Sequence, residues 1–401
     1  MAHATSLHDH ARPTRPAHHH VAGPVDVVTE LCTALFSRFR GYDQRVRARQ
    51  YMDGLLRAQG RKSIANIAAS VGVPGDEQRL HHFVNSSRWD VGPVRGALAA
   101  FLGGNGPVPV WVALPVSIPK AGRRMVGVFP HFSAEEGHRV VGQQAFSMWY
   151  ASERMVAPVS WRLRVPDPGP GRRRTVEEFP DGLATATATA ENCVANLLDD
   201  VRAWQVAPRL IVADARGDDE RAQVSQMFRH TSPVAVRISG RTLLTVDEQR
   251  RGAGHTRRLT PAHAALDQAR RTRSAGHLAH GGNPPVTATA SVRLPGPRDP
   301  RCPGPAGGLA LLGVWHEPRR APDELWLTNV DEPASPALLR ATRLAHRVDA
   351  GWRARGKEVG LRDYEGRSFQ GWHRHMTLAS CAYAMAELRS AEASGGSSLD
   401  A

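Results

Sequence analysis

The apolar positions change period twice along the chain, and those changes divide it. From residue 27 to about 103 they recur every three or four residues, the repeat of an amphipathic helix. Leu31, Leu35, Phe36 and Phe39 make one such face, and Val46, Tyr51, Leu55 and Leu56 make a second. Residues 62–73 read as a short helix stopped by Gly72. Asp76 follows as a cap for a helix carrying Leu80, Phe83 and Val84. Helix, glycine turn, helix is the outline of a helix-turn-helix. Its second helix presents Gln78, Arg79, His81, His82 and Asn85, side chains suited to base edges and phosphates. Lys62 and Arg88 flank the same outline and join Gln78, Arg79, His82 and Asn85 as candidate DNA contacts. An ordinary helical bundle with a polar face has the same pattern, so both readings stand at this point.

The run Gly103, Gly104, Asn105, Gly106, Pro107 predicts a linker. Beyond it the helical period is lost, and short apolar runs predict strands at 108–114, 125–129, 144–150 and 156–165. A loop rich in Pro, Gly and Arg is expected at 166–174 and a helix at 184–204. The strand at 208–214 ends on Asp214, followed by a helix at 219–228 and a strand at 234–238. Residues 240–305, rich in Arg, His, Gly and Pro, read as irregular. Strands at 309–315 and 324–328 close that segment. Helices return from 334 to about 388, with His373 and His375 starting the last of them. The expected division is a His- and Pro-rich disordered arm at 1–25, a helical DNA-binding domain at 26–103 and the first part of an α/β core at 107–239. An insertion follows at 240–333, then C-terminal helices at 334–390 and a flexible tail at 391–401.

Composition narrows the partners. The 401 residues, 41% hydrophobic, are enough for a sizeable core. There are 52 Lys and Arg against 38 Asp and Glu, a formal net charge of +14, which attracts polyanions, double-stranded DNA first among them. A general preference for arginine gives the same excess without any such partner. The basic stretches at 172–174, 250–251, 257–258 and 270–273 suit phosphate contact or a solvated loop equally. Cys32, Cys193, Cys302 and Cys381 form no CxxC pair and are expected as structural thiols in a reducing compartment. No apolar run approaches about 18 residues and no apolar signal core opens the chain, so no membrane partner is expected. The expected location is the cytoplasm, on the nucleoid. No phosphate loop, nucleophile elbow or dinucleotide fingerprint is present.

Residues 360–375 read Gly-Leu-Arg-Asp-Tyr-Glu-Gly-Arg-Ser-Phe-Gln-Gly-Trp-His-Arg-His. Through Tyr364, Glu365, Arg367, Trp372 and His373 this run closely resembles the C-terminal signature of the transposases of insertion-sequence family seven-oh-one. Trp89-Asp90, Val126-Gly127-Val128 and Trp326-Leu327-Thr328-Asn329 resemble further elements of that family, so the likeness extends over residues 30–390. It implies an α/β fold: an RNase H-like mixed-sheet core with a β-rich insertion, preceded by a helical, helix-turn-helix-like DNA-binding domain. It also implies chemistry by three carboxylates that hold two divalent cations about 3.5–4 Å apart.

The catalytic positions carry over unevenly. With Trp111, Pro119, Lys120 and Gly122 holding the register, the first acid position falls on Leu114. The second falls on Asp214, within Ala213-Asp214-Ala215. The third, a glutamate in the family, falls on Asp349, one methylene shorter. Two basic helpers of the family fall on Ala345 and Gly356. Asp214 and Asp349 are therefore remnant acids, no cofactor is expected, and Mg2+ enters only if activity is retained. The expectation is a transposase-derived DNA-binding protein, catalytically inactive and acting as a transcriptional regulator. The alternative is a transposase, active or recently inactivated, that binds terminal inverted repeats. A homodimer is left open.

Overall fold

The computed structural model describes residues 27–72, 76–104, 110–122, 124–166, 189–206, 210–229, 232–249, 255–269, 274–275, 286–295, 308–317 and 321–396. The expected arm at 1–25, most of the linker, the loop from 167 onward and the arginines at 172–174, 250–251 and 270–273 lie outside the described residues, as does Cys302.

Five helices come first: α1 (Val27–Phe36), α2 (Tyr42–Arg57), α3 (Ile64–Val71), α4 (Asp76–Asn85) and α5 (Val91–Gly104). Leu31, Leu35, Phe39, Tyr51, Leu55, Leu80 and Phe83 are buried, as their spacing required. Ser63 caps α3 by accepting from Asn66 N at 3.2 Å, and Gly72 ends it in the left-handed conformation. Two expectations differ. Gly103 and Gly104 belong to α5 rather than to the linker. Asp76 is fully buried, and its carboxylate accepts from Arg47 at 2.8 Å and Gln50 at 3.0 Å on α2. A buried carboxylate needs charged or polar partners, and α2 supplies them.

The core begins with β1 (Val110–Pro119), β2 (Val128–Ser133), β3 (His138–Ala151) and β4 (Val156–Leu163). It continues with α6 (Ala190–Ala203), β5 (Leu210–Asp214), α7 (Glu220–Met227) and β6 (Val234–Arg237). β3 pairs antiparallel with β1 along one side, and β2 and β4 follow one another along its other side. β5 runs parallel to β1, and β6 parallel to β5. An antiparallel meander followed by two parallel strands is the RNase H-like core. The run at 125–129 was expected as a strand, but the turn at Gly127, φ 67°, delays β2 to Val128.

The insertion is more regular than its composition suggests. It contains β7 (Leu243–Gln249), β8 (His255–Pro261), α8 (Ala262–Ala269), β9 (Ser274–Ala275), β10 (Val286–Val292), β11 (Leu309–Trp315) and β12 (Glu324–Thr328). β12 pairs with β6, so β12, β11, β10 and β9 extend the core sheet to ten strands. β7 and β8 make a separate ribbon, tied to Arg293 by a reciprocal pair of 2.8 Å backbone bonds between Thr245 and Arg293.

The chain closes with α9 (Pro336–Arg353), α10 (Arg355–Glu358) and α11 (Phe369–Gly396). His373 and His375 lie inside α11 rather than at its start. α9 packs on β1, β5 and β4, while α11 packs on β4, α2, α4 and α5 and so joins helical region to core. Trp161 is the hub, with ring centroids of Trp149, Trp352 and Trp372 at 6.3, 5.8 and 6.5 Å. Cys193 and Cys381 are buried, and burial pushes both thiols up to about 12, which leaves them inert. Among the described residues no helix is long and apolar enough to cross a membrane.

Candidate functional site

One cleft is lined by Leu114, Asp214 and Asp349 together, from β1, the end of β5 and the middle of α9. Its opening follows from strand pairing. β1 and β5 stay paired only as far as Ala113 and Ala213. The next residues are Leu114 and Pro115, and proline lacks the N–H that a fully paired central strand requires. The strands part there, and the point of parting faces α9.

The side chains at this junction are neutralised by one another. Leu114 is 8% exposed and offers no oxygen ligand; its carbonyl accepts from Ser147 Oγ at 2.8 Å. Asp214 receives a fork from Arg216: Nε lies 2.9 Å from Oδ1 and Nη2 2.6 Å from Oδ2. The Arg216 backbone N–H adds a bond to Oδ1 at 3.1 Å. This bond to Asp214 raises the Arg216 pKa, burial opposing it. Asp349 pairs with Arg353, one helical turn later, at 2.9 Å.

The same pattern continues around the rim. Glu135, from the β2–β3 turn, lies 3.6 Å from Arg353 and 3.5 Å from Arg362, and accepts from Trp352 Nε1 at 3.4 Å. Arg362 stacks over the Trp352 ring. Glu324 on β12 meets His346 and lies 3.6 Å from Arg237. Burial opposes ionisation of Glu324, but the bond from His346 and the charge of Arg237 outweigh it and hold the carboxyl below its usual range.

A pair of divalent cations needs several oxygen ligands from carboxylates that are not already paired. This donor set does not fit that requirement. One ligand position is a leucine, and guanidinium groups already bind the two remaining acids. Among the described residues, no group of three or more His, Cys, Asp or Glu side chains is gathered for a metal ion. The two basic-helper positions are equally altered: Ala345 lines the cleft with a methyl group, and Gly356 is buried beside Trp352 and Leu361.

The candidate DNA contacts divide into two sets. Gln78, Arg79, His82 and Arg88 are exposed, the first three on α4 with His81 beside them. Lys62 and Asn85 are not free to reach a duplex. Lys62 is buried, its ammonium held by Ala58 O and its backbone N–H by Asp363 Oδ2 at 2.8 Å. Burial lowers its pKa. Asn85 is half-buried and accepts from Tyr364 Oη at 2.7 Å.

The signature residues fall mostly in the same seam. Tyr364, Trp372 and His373 are buried, while Glu365 and Arg367 are exposed. Arg95 on α5 is fully buried and donates to Thr377 Oγ1, Ser160 Oγ and the Trp161 carbonyl, with His373 Nδ1 at 3.2 Å. Burial, with Arg162 nearby, lowers Arg95 to about 9; burial and Arg95 hold His373 well below its ordinary value.

Sequence reasoning missed Arg216, Glu135, Arg237, Glu324 and His346. Arg353 and His346 had a local signal, four residues after and three before Asp349 on one helix, and Arg216 lies two residues past Asp214. Glu135, Arg237 and Glu324 come together through strand and turn placement.

A family model described as DDE superfamily endonuclease matches residues 34–293, from α1 through β10. The match takes in Leu114 and Asp214 and stops before Asp349. No curated protein matches the chain.

Proposed function

The chain belongs to the DDE superfamily of endonucleases, and from that premise we propose that it is a transposase-derived DNA-binding protein that no longer cuts DNA and acts as a transcriptional regulator. Its 360–375 run resembles the C-terminal signature of the transposases of insertion-sequence family seven-oh-one. The observation that carries the reading is the state of the three acid positions: a buried leucine, an aspartate forked by Arg216 and an aspartate paired with Arg353. Two-metal phosphoryl transfer needs those oxygens for cations. Occupying them with guanidinium groups removes the chemistry and leaves the fold.

DNA affinity needs none of that chemistry. The formal charge of +14 favours a polyanion, and the α3–turn–α4 unit offers an exposed face of Gln78, Arg79, His81 and His82. A helix of this size and polarity suits the major groove. The expected setting is the nucleoid, with promoter DNA as the partner.

Mapping the DNA that the protein occupies in its own cells tests the reading. Enrichment at a small set of promoters remote from mobile elements is expected. Enrichment confined to inverted repeats around its own gene would overturn the regulator in favour of a transposase bound to its element.

A further inference from the structure

The 360–375 run meets the charged cleft through Arg362, 3.5 Å from Glu135, and most of its other side chains are engaged elsewhere. Their partners are the two ends of the helix-turn-helix. At the start of α3, Asp363 Oδ2 accepts from the Lys62 backbone N–H at 2.8 Å, and Glu365 pairs with Arg61. At the end of α4, the Arg374 guanidinium donates to Val84 O at 3.2 Å and to Trp89 O at 3.3 Å, and lies over the Trp89 ring. The last carbonyls of a helix lack partners within it, and a cation there satisfies them and complements the helix dipole. Tyr364 Oη donates to Asn85 Oδ1 at 2.7 Å and lies 3.0 Å from Ser368 O, while Ser368 Oγ reaches Asn85 O at 3.5 Å.

The other side of the run is anchored in the core and in α2. Lys120, just past the end of β1, donates its ammonium to Arg362 O at 2.7 Å and Tyr364 O at 2.9 Å. His375 is bonded on both ring nitrogens, 2.8 Å from Tyr51 Oη and 2.8 Å from Gly360 O. Close approach is strict at two glycines. A Cβ on Gly360, φ 78°, would stand 2.6 Å from Lys62 Cβ; one on Gly371 would stand 2.3 Å from both Asn85 Oδ1 and Tyr364 Oη.

We infer that Tyr364, Arg374, Gly371 and Asp363 are positioning residues for DNA recognition: the 360–375 run is a cradle that fixes α3 and α4 at one angle to the core. The inference rests on the reading of α4 as the DNA-contacting helix. The cradle touches both ends of the helix-turn-helix and leaves the exposed face of α4 clear. Its effect falls on orientation. Base-edge contacts demand one helix pose, whereas contacts to phosphates tolerate many. Loosening the cradle therefore reduces discrimination between DNA sequences more than it reduces attraction to DNA.

The test uses the full chain and two probes: duplexes that the wild-type protein enriches from a random-sequence library, and a mixed-sequence duplex of equal length. Tyr364→Phe removes one hydroxyl and Gly371→Ala adds one methyl group; Gln78→Ala with Arg79→Ala alters the reading face itself. Tyr364→Phe, the milder change, keeps the test valid if Gly371→Ala does not fold. The expected result for the cradle variants is a tenfold or greater loss of affinity for the enriched duplex. Affinity for the mixed-sequence duplex and its salt dependence should stay within about twofold. Amide exchange should quicken at residues 61–66 and 81–89. If the Gln78 and Arg79 variant loses the enriched duplex while both cradle variants bind it as wild type does, the inference is overturned and the reading of α4 stands. If that variant binds normally, or the library yields no enriched sequence, the reading of α4 falls and the cradle's role in recognition falls with it.

Discussion

The cleft and the seam both carry charge out of water, and they handle it in opposite ways. In the cleft each carboxylate faces a cation: Asp214 with Arg216, Asp349 with Arg353, Glu135 with Arg353 and Arg362, Glu324 with Arg237. In the seam the buried cations face neutral oxygens. Arg95 meets hydroxyls and a carbonyl, Arg374 meets two carbonyls, and Lys120 meets two more. The electrostatic consequence differs in sign. Arg216 is pushed up by its aspartate, whereas burial pulls Lys120 down to about 8 and Arg95 to about 9. A carboxylate can exchange one cation for another, a metal for a guanidinium, with its neighbours left in place. A ring of neutral acceptors holds one donor in one geometry, and half-satisfied networks of that kind are costly. The cleft is therefore where chemistry can be lost, and the seam is where it is hard to change anything.

The sharpest way to break this contrast is at Arg95. Arg95→Ala removes the guanidinium from Thr377 and His373, leaves Ser160 and the Trp161 carbonyl to Arg162 alone, and opens a cavity. The expected cost is about 3–5 kcal/mol, read by urea unfolding. A change below about 1 kcal/mol would mean that the seam is as replaceable as the cleft.

Acid tests the seam next. Burial takes His375 from 6.5 to about 4, and His373 also falls well below its ordinary value. Both are depressed in the folded state, so the unfolded chain binds protons first as pH falls. The stability His375 contributes is whole above about 6.5 and is lost on the way down to about 4, by roughly 3 kcal/mol, and His373 adds a loss of the same sign. Unfolding midpoints measured from pH 7 to pH 4 should fall steeply, and His375→Gln should flatten part of the slope. An unchanged profile in that variant would contradict the assignment.

A smaller effect is expected in the cleft. Leu114→Asp restores a carboxylate at a buried position with no guanidinium assigned to it. It should destabilise the protein by about 2 kcal/mol and give no divalent-dependent gain in stability while Arg216 holds Asp214. If millimolar Mg2+ or Mn2+ raises the melting temperature of this single variant, the arginines are weaker competitors than their geometry indicates.

Much of the core was legible because buried strands announce themselves as apolar runs: β1, β4, β5, β6, β11 and β12 fall close to where those runs lie. Leu114, Asp214 and Asp349 were named from the register of a family resemblance, and one cleft gathers them. The resemblance implied a β-rich insertion, but residues 240–305 read as irregular because β10, Val-Thr-Ala-Thr-Ala-Ser-Val, is built from small residues amid Pro, Gly and Arg, so its alternation is faint. Asp76 looked like a cap because capping is a local signal; its partners Arg47 and Gln50 are more than 25 residues away. Lys62 and Asn85 looked like DNA contacts for the same reason, and Asp363 and Tyr364, which meet the Lys62 backbone and the Asn85 side chain, lie near the far end of the chain. Glu135 carried no signal, since only turn placement and the packing of α9 bring it to the cleft, whereas Arg216, two residues past Asp214, reaches it locally.

Divalent-cation binding measured on the protein itself tests the central claim most directly. Mn2+ is titrated into the wild-type chain and into Asp214→Asn, with heat and manganese paramagnetism as readouts and strand cleavage of bound DNA followed in parallel. No saturable Mn2+ site distinguishing the two proteins, and no cleavage, is the predicted result. Stoichiometric Mn2+ binding that vanishes with Asp214→Asn, accompanied by cut DNA, would contradict it.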